Sequence, residues 1–247
     1  MKNKTTPENL APSQKKRKKS ILAEVVQPAR LTPETSVADL VESMKSMSIQ
    51  ARNIGSCATV LGKIMADKKR PTVFLGLAGP LIAAGLRQVI RDLIAGGYVD
   101  VLVSTGAILY QDIYQARGYR HYQGTPFADD TVLRSLYIDR IYDTYVDEEK
   151  FWETDLWCGR MADEMAPGVY SSRQYLDYLG EKLDDNDSIV RTCHRQGVPI
   201  FCPALNDSSI GIGLTDHRHR CKIDKRDGII IDAIQRSEEH TSELQSH

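Results

Sequence analysis

Two short apolar runs, TVFL at residues 72–75 and VDVLV at residues 99–103, each open directly into small residues. The first continues as Gly76, Leu77, Ala78, Gly79 and Pro80, the second as Ser104, Thr105, Gly106 and Ala107. Between them Ile82, Leu86, Ile90 and Leu93 recur at spacings of four, four and three, which predicts a helix with one apolar stripe, ended by Gly96 and Gly97. Two strands joined through a crossover helix pair in parallel. The expected class is therefore α/β, a parallel sheet with flanking helices. Its strand ends expose backbone amides beside helix N-termini, which suits a dinucleotide phosphate.

The two ends of the chain read differently from its middle. Residues 1–20 show no apolar periodicity and carry the run Lys15, Lys16, Arg17, Lys18, Lys19, so they are expected to form a disordered, solvated basic tail. Residues 236–247 resemble one reading frame of a sequencing-library adapter and are expected to be non-native. That leaves one domain over residues 21–235, expected to be truncated at its C-terminus, because the apolar Ile229, Ile230 and Ile231 resemble the start of a further element. A net charge of −1 argues against a polyanion binder, and hence against a nucleic-acid partner. No apolar run is long enough to cross a bilayer, and the N-terminus lacks a secretory core. Five scattered cysteines, an odd number, argue against a disulfide framework and for the reducing cytoplasm.

The remaining elements follow from periodicity and caps. Leu40, Val41, Met44 and Met47 predict a helix capped by Ser36 and Asp39, and a second helix is expected to bury Ile54, Cys57, Ala58, Leu61 and Met65. A helix over residues 108–117 should close at Gly118, followed by a loop holding His121. Residues 138–146 read as one short strand, and Phe151, Leu156, Trp157 and Met161 as a helix ending before Pro167. Tyr175, Leu176 and Leu179 mark a helix with Ser171 or Ser172 as its cap. A last helix over 188–196 stops at Gly197, before a strand over 198–202.

Four segments, taken in order, resemble the deoxyhypusine synthases, in particular the deoxyhypusine synthase-like proteins of bacteria and archaea. They are FLGLAGP with AGLR after it, VDVLVSTGA, HYQG at 121–124 and PIFCPALNDSS at 199–209, and the likeness runs from about Leu22 to Arg220. It implies a Rossmann-like fold, a homotetramer and NAD as cofactor. The implied reaction takes an aminobutyl group from the polyamine spermidine, through a lysine of the enzyme, to an acceptor lysine on a protein. Position by position, it assigns NAD contacts to Gly79, Pro80, Leu81, Ile82 and Ala83, to Thr105, Gly106 and Ala107, and to Asp207, whose carboxylate can accept both ribose hydroxyls.

The amine side departs from the pattern. Where the eukaryotic members carry two adjacent glutamates, this chain has Tyr110 and Gln111, kept as candidate substrate contacts, and a further family aspartate is replaced by Ile212. The resemblance places the nucleophilic lysine beyond Gln235, so no catalytic residue is assigned within the chain, which is expected not to turn over. Lys222 and Lys225 lie in a charge-dense stretch, a poor setting for a lysine that needs a desolvated pocket. His217, His219 and Cys221 alternate as metal ligands could, but interleaved arginines repel a cation, so a mobile loop without metal is expected. His121 reads as a hydrogen-bonded structural histidine before an acid–base group.

Three functions stay open at this level. One is transfer to a protein lysine, or to a small amine giving a homospermidine-type product. Another is a noncatalytic NAD-binding scaffold. The third, a plain nicotinamide dehydrogenase, is disfavoured because no G-x-G-x-x-G fingerprint opens a helix.

Overall fold

The structure, a computed structural model, describes residues 10–232; expectations placed on residues 1–9 and 233–247, the adapter-like stretch included, lie outside the described residues. Two compact units, Met1–Pro71 and Thr72–His247, stand where the sequence suggests one domain over 21–235.

In the first unit the basic run is helical rather than an unstructured tail. Helix α1 (Pro12–Ile21) starts with proline in its first turn, and Gln14 Oε1 accepts the Ala11 amide at 2.9 Å. Lysine and arginine cost a helix little in propensity, and α1 has no buried face. Helix α2 (Val37–Met44) begins on the expected reciprocal cap, with Ser36 Oγ accepting from the Asp39 amide and Asp39 Oδ2 from the Ser36 amide, both at 3.1 Å. Helix α3 (Ile49–Ala66) is rotated from its predicted phase. Gly55 is buried and Ala51 and Ala58 half-buried, whereas Ile54, Leu61, Met65 and Cys57 are exposed. The small-residue row lets the two helices approach to backbone contact, and that close fit selects the buried face over the larger apolar row.

The second unit opens with the anticipated β1 (Phe74–Leu77), α4 (Arg87–Ala95) and β2 (Val101–Ser104), the strands pairing in parallel with Phe74 opposite Val101. The helix is shorter than its stripe. Gly85 takes a left-handed φ of +84°, which ends the turn around Ile82 and resets the phase. Ile82 is buried in that turn, and α4 buries Arg87, Ile90 and Ile94, leaving Leu86 and Leu93 at 42% and 39% exposure.

Helix α5 (Gly106–Ala116) follows and closes before Gly118, as expected. Then come β3 (Tyr122–Gln123), α6 (Asp130–Ser135), β4 (Ile138–Ile141) and β5 (Thr144–Asp147), which form an antiparallel sheet ordered β3-β5-β4. The single strand predicted over 138–146 is therefore a hairpin, reversed where Tyr142 adopts φ +59°. Helix α7 (Glu148–Glu164) and strand β6 (Gly168–Tyr170) lead to α8 (Ser172–Lys182), capped by Ser171. Next are α9 (Ile189–Gln196), ended by left-handed Gly197, then β7 (Ile200–Phe201), α10 (Ser209–Asp224) and β8 (Ile229–Ile231). The main sheet is wholly parallel in the order β1-β2-β7, with Leu102 opposite Ile200. Around it Leu102, Ile108, Leu109, Ile113, Leu176 and Ile189 form a core from which water is excluded.

Residues 216–221 are not a mobile loop but two turns of α10, long enough for His217 and Cys221, one turn apart, to face inward together. His217 Nε2 accepts the Ile229 amide at 3.1 Å, so its Nδ1 carries the proton donated to Asp163 Oδ1 at 2.6 Å. Arg220 and Arg226 also close on Asp163. Burial pushes the Asp163 carboxyl up, but the two guanidiniums and His217 outweigh it and hold it at about 2. This clasp ties α7, α10 and β8, and β8 lies parallel to β6.

An Asp163→Asn chain is expected to lose about 2 kcal/mol of unfolding free energy at pH 7, read by urea denaturation. The depressed carboxyl stabilises the fold above its ordinary 3.8 and ceases to do so as pH falls through about 2, so the two proteins should converge in acid.

Candidate functional site

Because β1, β2 and β7 run in parallel, their C-terminal ends open on one side of the sheet, where sequential α/β folds place their binding crevices. A cleft of about 400 Å³ lies there. Gly76, Leu77 and Ala78 form its first wall, Thr105 and Gly106 its second, and Pro203, Ala204 and Asp207 its third.

Two helices begin at this cleft, and neither N-terminus is capped by a side chain. Thr105, the N-cap of α5, and Ser208, the N-cap of α10, make no cap hydrogen bond; Ser208 Oγ donates instead to the Leu205 carbonyl at 2.6 Å. The first amides of both helices therefore retain donor capacity and the positive end of each helix dipole. Gly106 is required between them, because a Cβ there would collide with the Ser208 side chain.

Of the anticipated cofactor residues, Thr105, Gly106 and Asp207 meet at the cleft, with Ala107 next along α5. The segment Gly79, Pro80, Leu81, Ile82 and Ala83 does not line it. That segment folds on itself, with the amides of Leu81, Ala84 and Gly85 donating to the carbonyls of Gly79, Pro80 and Ile82, and with Ile82 in the core. The wall on this side is supplied by the preceding Gly76 to Ala78, which the sequence reading missed; their place directly at the end of β1 was the available signal.

Tyr110 and Gln111 are committed elsewhere. The Tyr110 hydroxyl donates to the Phe151 carbonyl at 2.5 Å, its ring meets Phe151 edge to face at 5.2 Å, and burial together with Asp155 raises the phenol well above its usual range. Gln111 Oε1 accepts the Ala83 amide at 3.2 Å, linking the first and second loops. The apolar Ile212 side chain is exposed.

Asp112, next along α5, is fully buried and holds the site together. Its Oδ1 accepts from Arg87 Nε at 2.7 Å and from the Ile189 amide at 3.0 Å; its Oδ2 accepts from Ser188 Oγ at 2.7 Å and from the Val190 amide at 3.0 Å. Arg87 extends the network to Asp185 at 2.9 Å. Burial pulls the guanidinium down, but Asp112 and Asp185 outweigh it and raise it. The sequence signal for this hub was a carboxylate in the otherwise inward-facing ILYQDIY stretch.

His121 accepts from Gln115 Nε2 on Nδ1 at 2.7 Å, and burial followed by the Arg87 charge holds it at about 4, a neutral imidazole at pH 7. Asp163, His217 and Cys221 bring three metal-ligating atoms within 4.8 Å, but both imidazole nitrogens are engaged and two guanidiniums cover the carboxylate. No lone pair of the ring remains for a cation, so the cluster is a structural clasp.

A family model described as deoxyhypusine synthase matches residues 39–246. The chain belongs to the deoxyhypusine synthase family. A deoxyhypusine synthase-like protein of Chlorobaculum parvum is 46% identical over 188 residues, covering 74% of this chain and 53% of the relative. One from Caulobacter vibrioides is 37% identical over 230 residues, covering 91% and 62% respectively. The chain thus spans roughly half to three-fifths of the curated relatives it matches. A crystal structure from Entamoeba histolytica, assigned to deoxyhypusine synthase, superposes with a TM-score of 0.64 at 19% identity, over 88% of this chain and 74% of that one. This likeness supports the fold: an α/β unit with a parallel sheet and flanking helices.

Asp112→Asn keeps the shape of the hub but removes its charge and places an amide donor against other donors. The expected cost is about 3–5 kcal/mol in denaturant unfolding, and Arg87→Met in the same background should recover part of it.

Proposed function

We propose that this cleft holds NAD and that the whole protein transfers an aminobutyl group from spermidine or a related polyamine to an amine acceptor. The supporting observation is the convergence of two uncapped helix N-termini and the Asp207 carboxylate on one cleft of a deoxyhypusine synthase family member. The α5 and α10 amides suit the pyrophosphate, and Gly106 lets the two helix starts come close enough to face it together. Asp207 accepts from ribose hydroxyls, and Leu77 and Val103 offer an apolar wall that keeps water from the reacting carbon. When bound, NAD supplies a hydride acceptor for amine oxidation. Gly79, Pro80, Leu81, Ile82, Ala83 and Ala107 serve this site by shaping its loops, with Gln111 as the link between them.

The acceptor is proposed to be a protein lysine. Family resemblance further suggests a cytoplasmic homotetramer; among the described residues no helix is long and apolar enough to cross a membrane. The 247-residue chain, which spans about half to three-fifths of its relatives' length, is proposed to bind NAD without turning over by itself. A second reading, an NAD-binding protein that transfers nothing, is favoured by the engagement of Tyr110 and Gln111 in packing and loop contacts. Spermidine-dependent NADH formation by the whole protein decides between them.

Calorimetry of the chain with NAD is expected to give a single site. Gly106→Ala, whose Cβ meets the Ser208 side chain, should weaken it about tenfold or more and also lower the melting temperature. An unchanged affinity removes the cleft from consideration.

A further inference from the structure

Behind the cleft, α5, α7 and α10 enclose a carboxylate that the fold leaves unanswered. Asp155 is 9% exposed, and its Oδ1 has no hydrogen-bond partner. The group bearing on it is a phenol hydroxyl. The Tyr110 phenol faces it from α5, and the Ser209 hydroxyl bears on the same phenol from the first residue of α10, two positions after Asp207. Cys158, one turn along α7, is pushed up to about 12 by burial and by the charge of Asp155. On α7, Phe151 and the exposed Trp152 precede Asp155 by four and three residues, so they share its side of the helix. Among the described residues no cation bears on it; burial raises it to about 6, against a lowering by the nearby Tyr110 phenol.

A buried, unpaired carboxylate is costly, and a structural one would be answered as Asp112 and Asp163 are. Acceptor oxygen, hydroxyls and ring faces together form the chemistry that recognises a primary ammonium group. We propose that Asp155 seats a terminal ammonium of the amine substrate, with Tyr110 and Ser209 as its polar frame and Phe151 and Trp152 along its approach. The proposal rests on the reading of the neighbouring cleft as the cofactor site, and it supplies from α7 the anionic charge absent at Tyr110, Gln111 and Ile212.

The test is calorimetry of the full chain with 1,4-diaminobutane at pH 6, with NAD present, in two buffers of different ionisation enthalpy. Because the carboxyl titrates at about 6, seating an ammonium should release about 0.5 proton, a signal a merely structural acid does not give. Asp155→Asn should abolish that release and weaken the diamine at least tenfold while NAD affinity stays unchanged. In the unsubstituted chain, carbon-detected NMR should show the Asp155 midpoint falling by a unit or more with diamine, a measurement independent of how the variant folds. Equal diamine affinity in a folded Asp155→Asn chain, an unmoved midpoint, or a chain that binds NAD but no diamine overturns the proposal. Asp155-dependent diamine binding without NAD affinity would support it and sink the cofactor reading instead.

Discussion

A single buried carboxylate organises the second unit. Asp112 accepts from one guanidinium, one hydroxyl and two backbone amides, and so joins α5, α4 and the start of α9 at one point. An isolated charge in such a place would cost several kcal/mol; four donors on two oxygens offset that and fix direction as well. Gln111, the residue before it, can then hold the Ala83 amide, and the loops after β1 and β2 keep their spacing. The cleft is thus positioned from beneath by the helix that forms one of its walls.

The clasp around Asp163 answers the same problem differently. Its imidazole is neutral and bridges an amide and a carboxylate, and two arginines close the surface side. Three potential metal ligands lie together there because they solve a packing and hydrogen-bonding requirement. Proximity of ligating atoms is insufficient for a metal site when their lone pairs are already used.

Much of the framework was legible in the chain. The strands that open into Gly76 and Ser104, the caps at Ser36 and Ser171, and the stops at Gly97 and Gly197 depend on local chemistry, and each appears in place. Errors of phase arose where backbone geometry intervened. Gly85 restarts the helical register, Gly55 draws α3 onto its small face, and Tyr142 reverses a run that periodicity alone extends. At the site, Thr105, Gly106 and Asp207 were marked by the family resemblance, and all three line the cleft, the first two directly after β2 and Asp207 in the loop after β7. The roles of Asp112 and Asp155 were not, since whether a carboxylate is answered or left bare depends on residues far away in sequence; Asp112 left only the trace of a carboxylate inside an inward-facing run, and Asp155 left none.

The strand order also has a temporal side. As the chain leaves the ribosome, β1, α4, β2 and α5 are complete within one short span and can pair as soon as they emerge. The amides that answer Asp112, and the wall carrying Asp207, follow only after α6, α7 and α8 have been synthesised. Until then Asp112 has only Arg87 against it and the groove is open, so nucleotide affinity arrives late, coupled to long-range closure rather than to the first folded motif.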